Sequence, residues 1–312
     1  MEPGIETVTP PFLKSGDTVG LIAPAYHVEP TQWEPLIPML QSWNLQVALG
    51  NTLRLQSGVF AGTDAQRFDD WVTMMRDPQI KAVFCARGGY GCGRLLPDLE
   101  RHSSSFCPKW LVGYSDVTAL ASYTVNRLHW NCVHAPMAID LTERQSPDGQ
   151  KSWEYLRHLL FGQIPSYRLP VHPQNRCGSA LAPLAGGNLS VLYSLNATPY
   201  QWQTDGCILF IEDIGEKLYH LDRMMNNLRT GGQLTHIKGL LVGAMNGMSD
   251  SNPPFGKSAY EIIASHVVDY QYPVAFGFPA GHDGVNFPLL LGANVHLHVT
   301  EQTVGIEQNV TT

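Results

Sequence analysis

Several segments of this 312-residue chain place a reactive side chain on a backbone able to expose it. In Gly113-Tyr-Ser-Asp-Val-Thr-Ala-Leu120 an apolar, strand-like run enters a glycine, then a serine, then a stretch of helical character. A tight strand-to-helix turn of this kind lifts a hydroxyl over a sheet edge, and a helix start favours the developing alkoxide. The second glycine of the G-x-S-x-G pattern is absent, with Val117 in its place. Taken alone, Ser115 reads more readily as an ordinary helix cap, with Asp116 as a favourable first-turn acid. In Ile208-Leu-Phe-Ile-Glu-Asp-Ile-Gly-Glu216 carboxylates close a buried strand. Glu212 could orient an imidazole and stabilise its charged form. Asp213 and Glu216 read as a solvated strand end or a cap for the helix that follows. In Gly277-Phe-Pro-Ala-Gly-His-Asp-Gly284 a histidine sits in a glycine-rich loop after a strand. There are 12 histidines, so any single one is more often incidental than catalytic. His282 stands out by its flanking glycines, and His134, in Cys132-Val-His-Ala-Pro-Met137, is its rival for lining the site.

The loop Arg87-Gly-Gly-Tyr-Gly-Cys-Gly93 follows another strand-like run. Its glycines let backbone approach a ligand and turn N–H groups toward it, as an oxyanion hole requires. A phosphate loop is the weaker alternative, because the spacing fits G-x-G-x-x-G poorly, and a purely structural turn is the plain one. No H-E-x-x-H or comparable cluster suggests a metal, and His296 and His298 alternate as surface residues of a strand would. The six cysteines form no C-x-x-C pair and read as reduced, mostly buried thiols.

The elements that must hold these groups alternate through the first half. Thr18-Val-Gly-Leu-Ile-Ala-Pro24, Leu45 to Leu49, Lys81 to Ala86 and Lys109 to Gly113 read as strands, the first, third and fourth of them buried. Trp33 to Trp43 and Ala65 to Asp77 have helical spacing, the latter opening at the capping pair Thr63-Asp64. Pro38 weakens the first of these helices. Farther on come strands at Cys207 to Ile211, Gly239 to Gly243 and Val274 to Phe278. Helices fall at Tyr219 to Leu228 and Ala259 to Val268, and a hairpin falls at the tail. This is an α/β pattern with a mostly parallel sheet. The Pro- and polar-rich stretch near 163–187 predicts a division into residues 1–165 with the nucleophile, a linker over 166–185, and residues 186–312 with Glu212 and His282. The site is then expected where the two parts meet.

Composition narrows the class. Hydrophobic residues are 44% and charged residues 15%, as in a folded globular protein. A net charge of -7 without a basic run argues against nucleic acid and against an anionic lipid surface. The start, Met1-Glu-Pro-Gly-Ile-Glu6, carries acids where a signal peptide carries bases, and no run approaches the ~20 apolar residues of a membrane span. A soluble, cytoplasmic protein is expected.

Together these segments resemble the LD-carboxypeptidase family, which includes the microcin immunity peptidases. The resemblance runs in the family's order through Lys14-Ser-Gly-Asp-Thr-Val-Gly-Leu-Ile-Ala-Pro-Ala25, Arg87-Gly-Gly-Tyr-Gly91, Gly113-Tyr-Ser-Asp116, Gly186-Gly-Asn-Leu189, Ile211-Glu-Asp213 and Gly281-His282. It implies a Rossmann-like N-terminal domain, a smaller β-rich α/β C-terminal domain, and a homodimer that needs no metal or other cofactor. It implies Ser115 as nucleophile, Glu212 and His282 as the rest of a triad, and an oxyanion hole of the Asp116 and Gly88 amides. Arg87, Gly89 and His134 are candidate substrate contacts, Arg87 as the cation for a terminal carboxylate. The implied reaction is cleavage of the LD bond of a murein tetrapeptide, releasing D-alanine during cell-wall recycling. The Arg-Gly-Gly-Tyr-Gly form favours the carboxypeptidase branch over the immunity branch. An esterase-like serine hydrolase and a non-catalytic α/β ligand-binding protein are the other classes compatible with the residues.

Overall fold

The computed structural model describes residues 7–143 and 148–309. The acidic start at 1–6 lies outside them.

Two sheets organise the chain. The first contains β1 (Thr18–Ile22), β2 (Gln46–Leu49), β3 (Ile80–Cys85), β4 (Trp110–Val112), β5 (Cys132–His134) and, from much later in the chain, β11 (Leu289–Leu291). The second contains β6 (Ser166–Leu169), β7 (Gly178–Asn188), β8 (Ile208–Ile214), β9 (Gly239–Asn246), β10 (Val274–Phe276), β12 (Asn294–Val299) and β13 (Val304–Asn309). Their orders are β11-β5-β4-β3-β1-β2 and β10-β9-β8-β7-β12-β13-β6. In the first sheet β1 to β5 pair in parallel and β11 is antiparallel to β5. In the second, β7 to β10 are parallel, while β12, β13 and β6 extend it antiparallel. The mixed α/β class expected from the strand–helix alternation is the class observed.

The buried runs follow from this layering. β3 and β4 are covered on both faces, and their side chains alternate between two apolar clusters. Val83, Cys85 and Leu111 face one cluster, which continues through Tyr114, Leu184 and Phe210 into the second sheet. Phe84, Trp110 and Val112 face the other, against Trp153 and Leu156. One core therefore runs between the sheets, and it fixes their relative placement.

Local expectations held where capping chemistry was explicit. Helix Asp64–Arg76 starts at Thr63, whose hydroxyl accepts from Gln66 N while Gln66 Oε1 accepts from Thr63 N. The helix expected over Trp33 to Trp43 is instead two, Pro30–Trp33 and Leu36–Ser42. Pro38 sits in the first turn of the second, where a missing N–H costs nothing. The stretch 166–185, expected as a linker, carries β6 and most of β7 as members of the second sheet. Pro-rich punctuation there marks strand boundaries rather than free chain.

All six cysteines are free thiols, four of them buried. Among the described residues no helix is long and apolar enough to cross a membrane.

Candidate active site

The first sheet delivers Ser115. β4 ends at Val112, and after Gly113 and Tyr114 the chain makes a single 3-10 turn, Ser115–Val117, before helix Thr118–Asn126. Ser115 has φ 61°, a left-handed conformation that costs a residue with a Cβ ~1–2 kcal/mol. Such strain at the tip of a strand-to-helix turn is what points a hydroxyl outward. The capping alternative for Ser115 is not what the side chain does. Its Oγ lies 2.9 Å from Nε2 of His282.

The second sheet delivers the partner groups. Glu212 lies on β8, fully buried, opposite Asn188 at the end of β7. His282 lies in the loop between β10 and β11, and its Nδ1 is 2.7 Å from Glu212 Oε2. A carboxylate only accepts, so Nδ1 carries the proton and the neutral ring's Nε2 accepts from the serine hydroxyl. Burial pushes the Glu212 carboxyl up, but His282, with His134 and Asn188 nearby, outweighs it and holds the group below its usual range. The loop is held at three points: Asn246 Nδ2 donates to His282 O (3.1 Å), Gly281 N to Asn286 Oδ1 (3.0 Å), and Asn286 N to Ser152 Oγ (3.0 Å). The Tyr114 ring, 4.9 Å from the imidazole, backs it, and the Tyr114 hydroxyl donates to Asp140.

The Gly-rich loop lies against the serine. A Cβ on Gly88 would fall 3.1 Å from Ser115 Oγ and 3.3 Å from Asp116 N. No side chain fits between the segments, so the backbones approach directly. The amides of Gly88 and Asp116 donate to no group among the described residues. Arg87, half-buried, donates from Nη1 to His27 O (3.3 Å) and lies over the Tyr26 ring, against which Gly89 also packs.

Two sequence readings change. His134 is not at a substrate surface. It is 1% exposed, between Tyr114 (5.5 Å) and Phe210 (4.9 Å), and burial pushes its pKa down to about 4. Both follow an apolar run; the glycines that flank His282 set it apart in the sequence, and packing separates the two in the fold. Asp213 is not a solvated strand end: it is buried, and it accepts from Ser190 N (2.9 Å) and Asn188 Nδ2 (3.1 Å). It thus caps helix Leu189–Leu195, which precedes it, and burial beside Glu212 pushes it up to about 7. Glu216 pairs with His220 on the following helix.

Thr118, at the start of the helix behind the serine, was not singled out in the sequence. Its hydroxyl accepts from Asn188 N (3.0 Å) and joins the serine-bearing segment to the end of β7. The Gly186-Gly-Asn-Leu189 motif was the available signal. Among the described residues no three His, Cys, Asp or Glu side chains converge as a metal site needs.

Comparison with known proteins agrees along the length of the chain. The LD-carboxypeptidase N-terminal domain matches residues 19–135 and the LD-carboxypeptidase C-terminal domain residues 182–297. The chain is 34% identical over 304 residues to the "Probable murein peptide carboxypeptidase" of Bacillus subtilis, covering 96% of this chain and 95% of that one. It is 29% identical over 279 residues to the "Murein tetrapeptide carboxypeptidase" of Pseudomonas aeruginosa, covering 86% and 89%. The crystal structure of muramoyltetrapeptide carboxypeptidase from Oxalobacter formigenes superposes with a TM-score of 0.82 at 25% identity, covering 94% and 99%. With a matching pair of domains and relatives aligned nearly end to end, the chain belongs to the LD-carboxypeptidase family.

Proposed function

We propose that this protein is a serine peptidase that hydrolyses the LD peptide bond of a murein tetrapeptide and releases the terminal D-alanine. The observation that carries the reading is the continuous relay Ser115 Oγ, His282 Nε2 and Nδ1, Glu212 Oε2, with links of 2.9 and 2.7 Å. His282 takes the Ser115 proton as Oγ attacks the carbonyl carbon, and Glu212 holds the ring and stabilises its charged form. The oxyanion is received by the amides of Gly88 and Asp116, one such donor being worth ~3 kcal/mol of barrier. His282 then passes its proton to the departing D-alanine amine. Water, deprotonated by His282, attacks the acyl-enzyme and restores the serine. Arg87, beside the oxyanion loop, is the cation proposed for the terminal carboxylate, with Gly89 leaving room for the substrate.

No step in this scheme calls for a metal. The family resemblance supports a cytoplasmic homodimer acting in cell-wall recycling. The test is incubation with a defined murein tetrapeptide, following tripeptide by mass. Tripeptide plus D-alanine from the wild type, and neither from Ser115→Ala, supports the reading. Cleavage of short acyl esters without tetrapeptide cleavage would favour a different serine hydrolase. No turnover and no Ser115 acylation would leave a ligand-binding protein.

A further inference from the structure

The two proposed oxyanion donors belong to different segments, Gly88 after β3 and Asp116 after β4. Their spacing is not set by either strand. The loop that carries Gly88 is weakly self-determined: Gly91 has φ 136°, a conformation in which glycine gives up much backbone freedom. Something outside the loop must hold it against the serine turn.

Tyr26 N donates to Gly88 O (3.3 Å), and two side chains hold the rest of the loop from opposite sides. Asp116 Oδ2 accepts from Cys92 N at 2.7 Å, and Asp116 is 6% exposed. Arg67, on helix Asp64–Arg76 and fully buried, donates from Nη1 to Gly91 O (3.0 Å) and Pro24 O (2.7 Å), and its Nη2 is paired with Asp64. Residues 91 and 92 are thus gripped by a guanidinium on one carbonyl and a carboxylate on the next amide. A hydrogen bond from a backbone N–H to a carboxylate is charge-assisted and short.

We infer that the Asp116 side chain is a positioning group for the oxyanion hole, tying the Gly88 loop to the turn that carries Ser115 while the backbone N–H of the same residue serves as a donor. This rests on the peptidase reading above for its catalytic consequence, but the tie itself does not. The carboxylate touches no reacting atom. It acts through Cys92 on the place of Gly88, so its loss removes stabilisation made in the transition state and spares ground-state binding.

The experiment compares Asp116→Ala with Asp116→Asn, which keeps an acceptor oxygen at the same reach. For the tetrapeptide, Asp116→Ala is expected to lose about 100-fold in kcat with KM within about threefold, and Asp116→Asn to stay within about fivefold of wild type. Hydrogen exchange of segment 87–93, followed by mass spectrometry, is expected to quicken about tenfold in Asp116→Ala and to stay near wild type in Asp116→Asn. Should the alanine variant fail to fold, Asp116→Glu keeps the charge, misplaces the acceptor by one methylene, and must show the same losses. Unchanged exchange in the variant that loses the acceptor, or an equal fall in kcat for Asp116→Asn, overturns the inference. If the wild type itself does not cleave tetrapeptide, the peptidase reading fails, and the exchange measurement still decides whether the tie exists.

Discussion

Glu212 meets His282 with one carboxylate oxygen. Oε2 lies 2.7 Å from Nδ1, and Asn188 also faces the buried carboxylate. Buried as it is, the carboxylate keeps its charge because His282 faces it. Glu212→Gln preserves shape but removes that charge. We expect kcat to fall about 10³- to 10⁴-fold, by analogy with the loss when a triad acid becomes an amide, with the far-ultraviolet spectrum unchanged. A loss smaller than tenfold would remove Glu212 from the relay.

The strained backbone of Ser115 separates two inactive variants. Ser115→Ala and Ser115→Gly should both abolish tripeptide formation. At φ 61° only glycine escapes the steric cost, so Ser115→Gly should be more stable than Ser115→Ala by ~1 kcal/mol. Urea denaturation of the two variants measures the difference. Equal midpoints would mean the turn relaxes when the hydroxyl is removed.

Gly88→Ala tests the close approach. The new Cβ would stand 2.9 Å from Ser115 Cβ and 3.1 Å from its Oγ, in the space proposed for the oxyanion. The expected result is a loss of at least ~100-fold in kcat with a folded protein. Wild-type activity would place the oxyanion elsewhere.

Two buried groups near the site pull stability in opposite directions with pH. Asp213 is pushed up to about 7, so between ~4 and ~7 the folded state keeps a proton that the unfolded chain has released. Its contribution is full below the ordinary carboxyl pKa and is lost as pH rises through 7. His134 is pushed down to about 4, so between ~4 and ~6.5 the unfolded chain holds a proton that the folded state refuses. Its contribution is present above the ordinary histidine pKa and is lost as pH falls toward 4. The slopes oppose each other across ~4 to ~6.5. Asp213→Asn should therefore make stability fall more steeply on acidification than in the wild type. His134→Phe should make it fall as pH rises instead. Urea midpoints at a series of pH values give both slopes, and identical slopes in all three proteins would refute the assignment.

Sequence alone determined the parts. The runs in β1, β3 and β4 were legible because strands covered on both faces must be apolar nearly throughout. The start of helix Asp64–Arg76 was legible because Thr63 and Gln66 complete a local capping exchange. The order of the motifs around Ser115, Glu212 and His282 carried the family resemblance. β6 and β11 were not legible as members of their sheets. Four residues in a proline-rich stretch, of which only Tyr167 is buried, and three leucines after a loop say nothing about which distant strand they join. Tertiary structure made the choices that depend on distance. It set His282 against Ser115 across 167 positions and sank His134 between two rings, although both histidines follow an apolar run. It also turned Asp213 and Asp116 from apparent caps of their own neighbourhoods into ties to other segments. The physical reason is that periodicity and capping are written within a few residues. Hydrogen-bond partnership and burial are decided by whichever segments the shared core brings together.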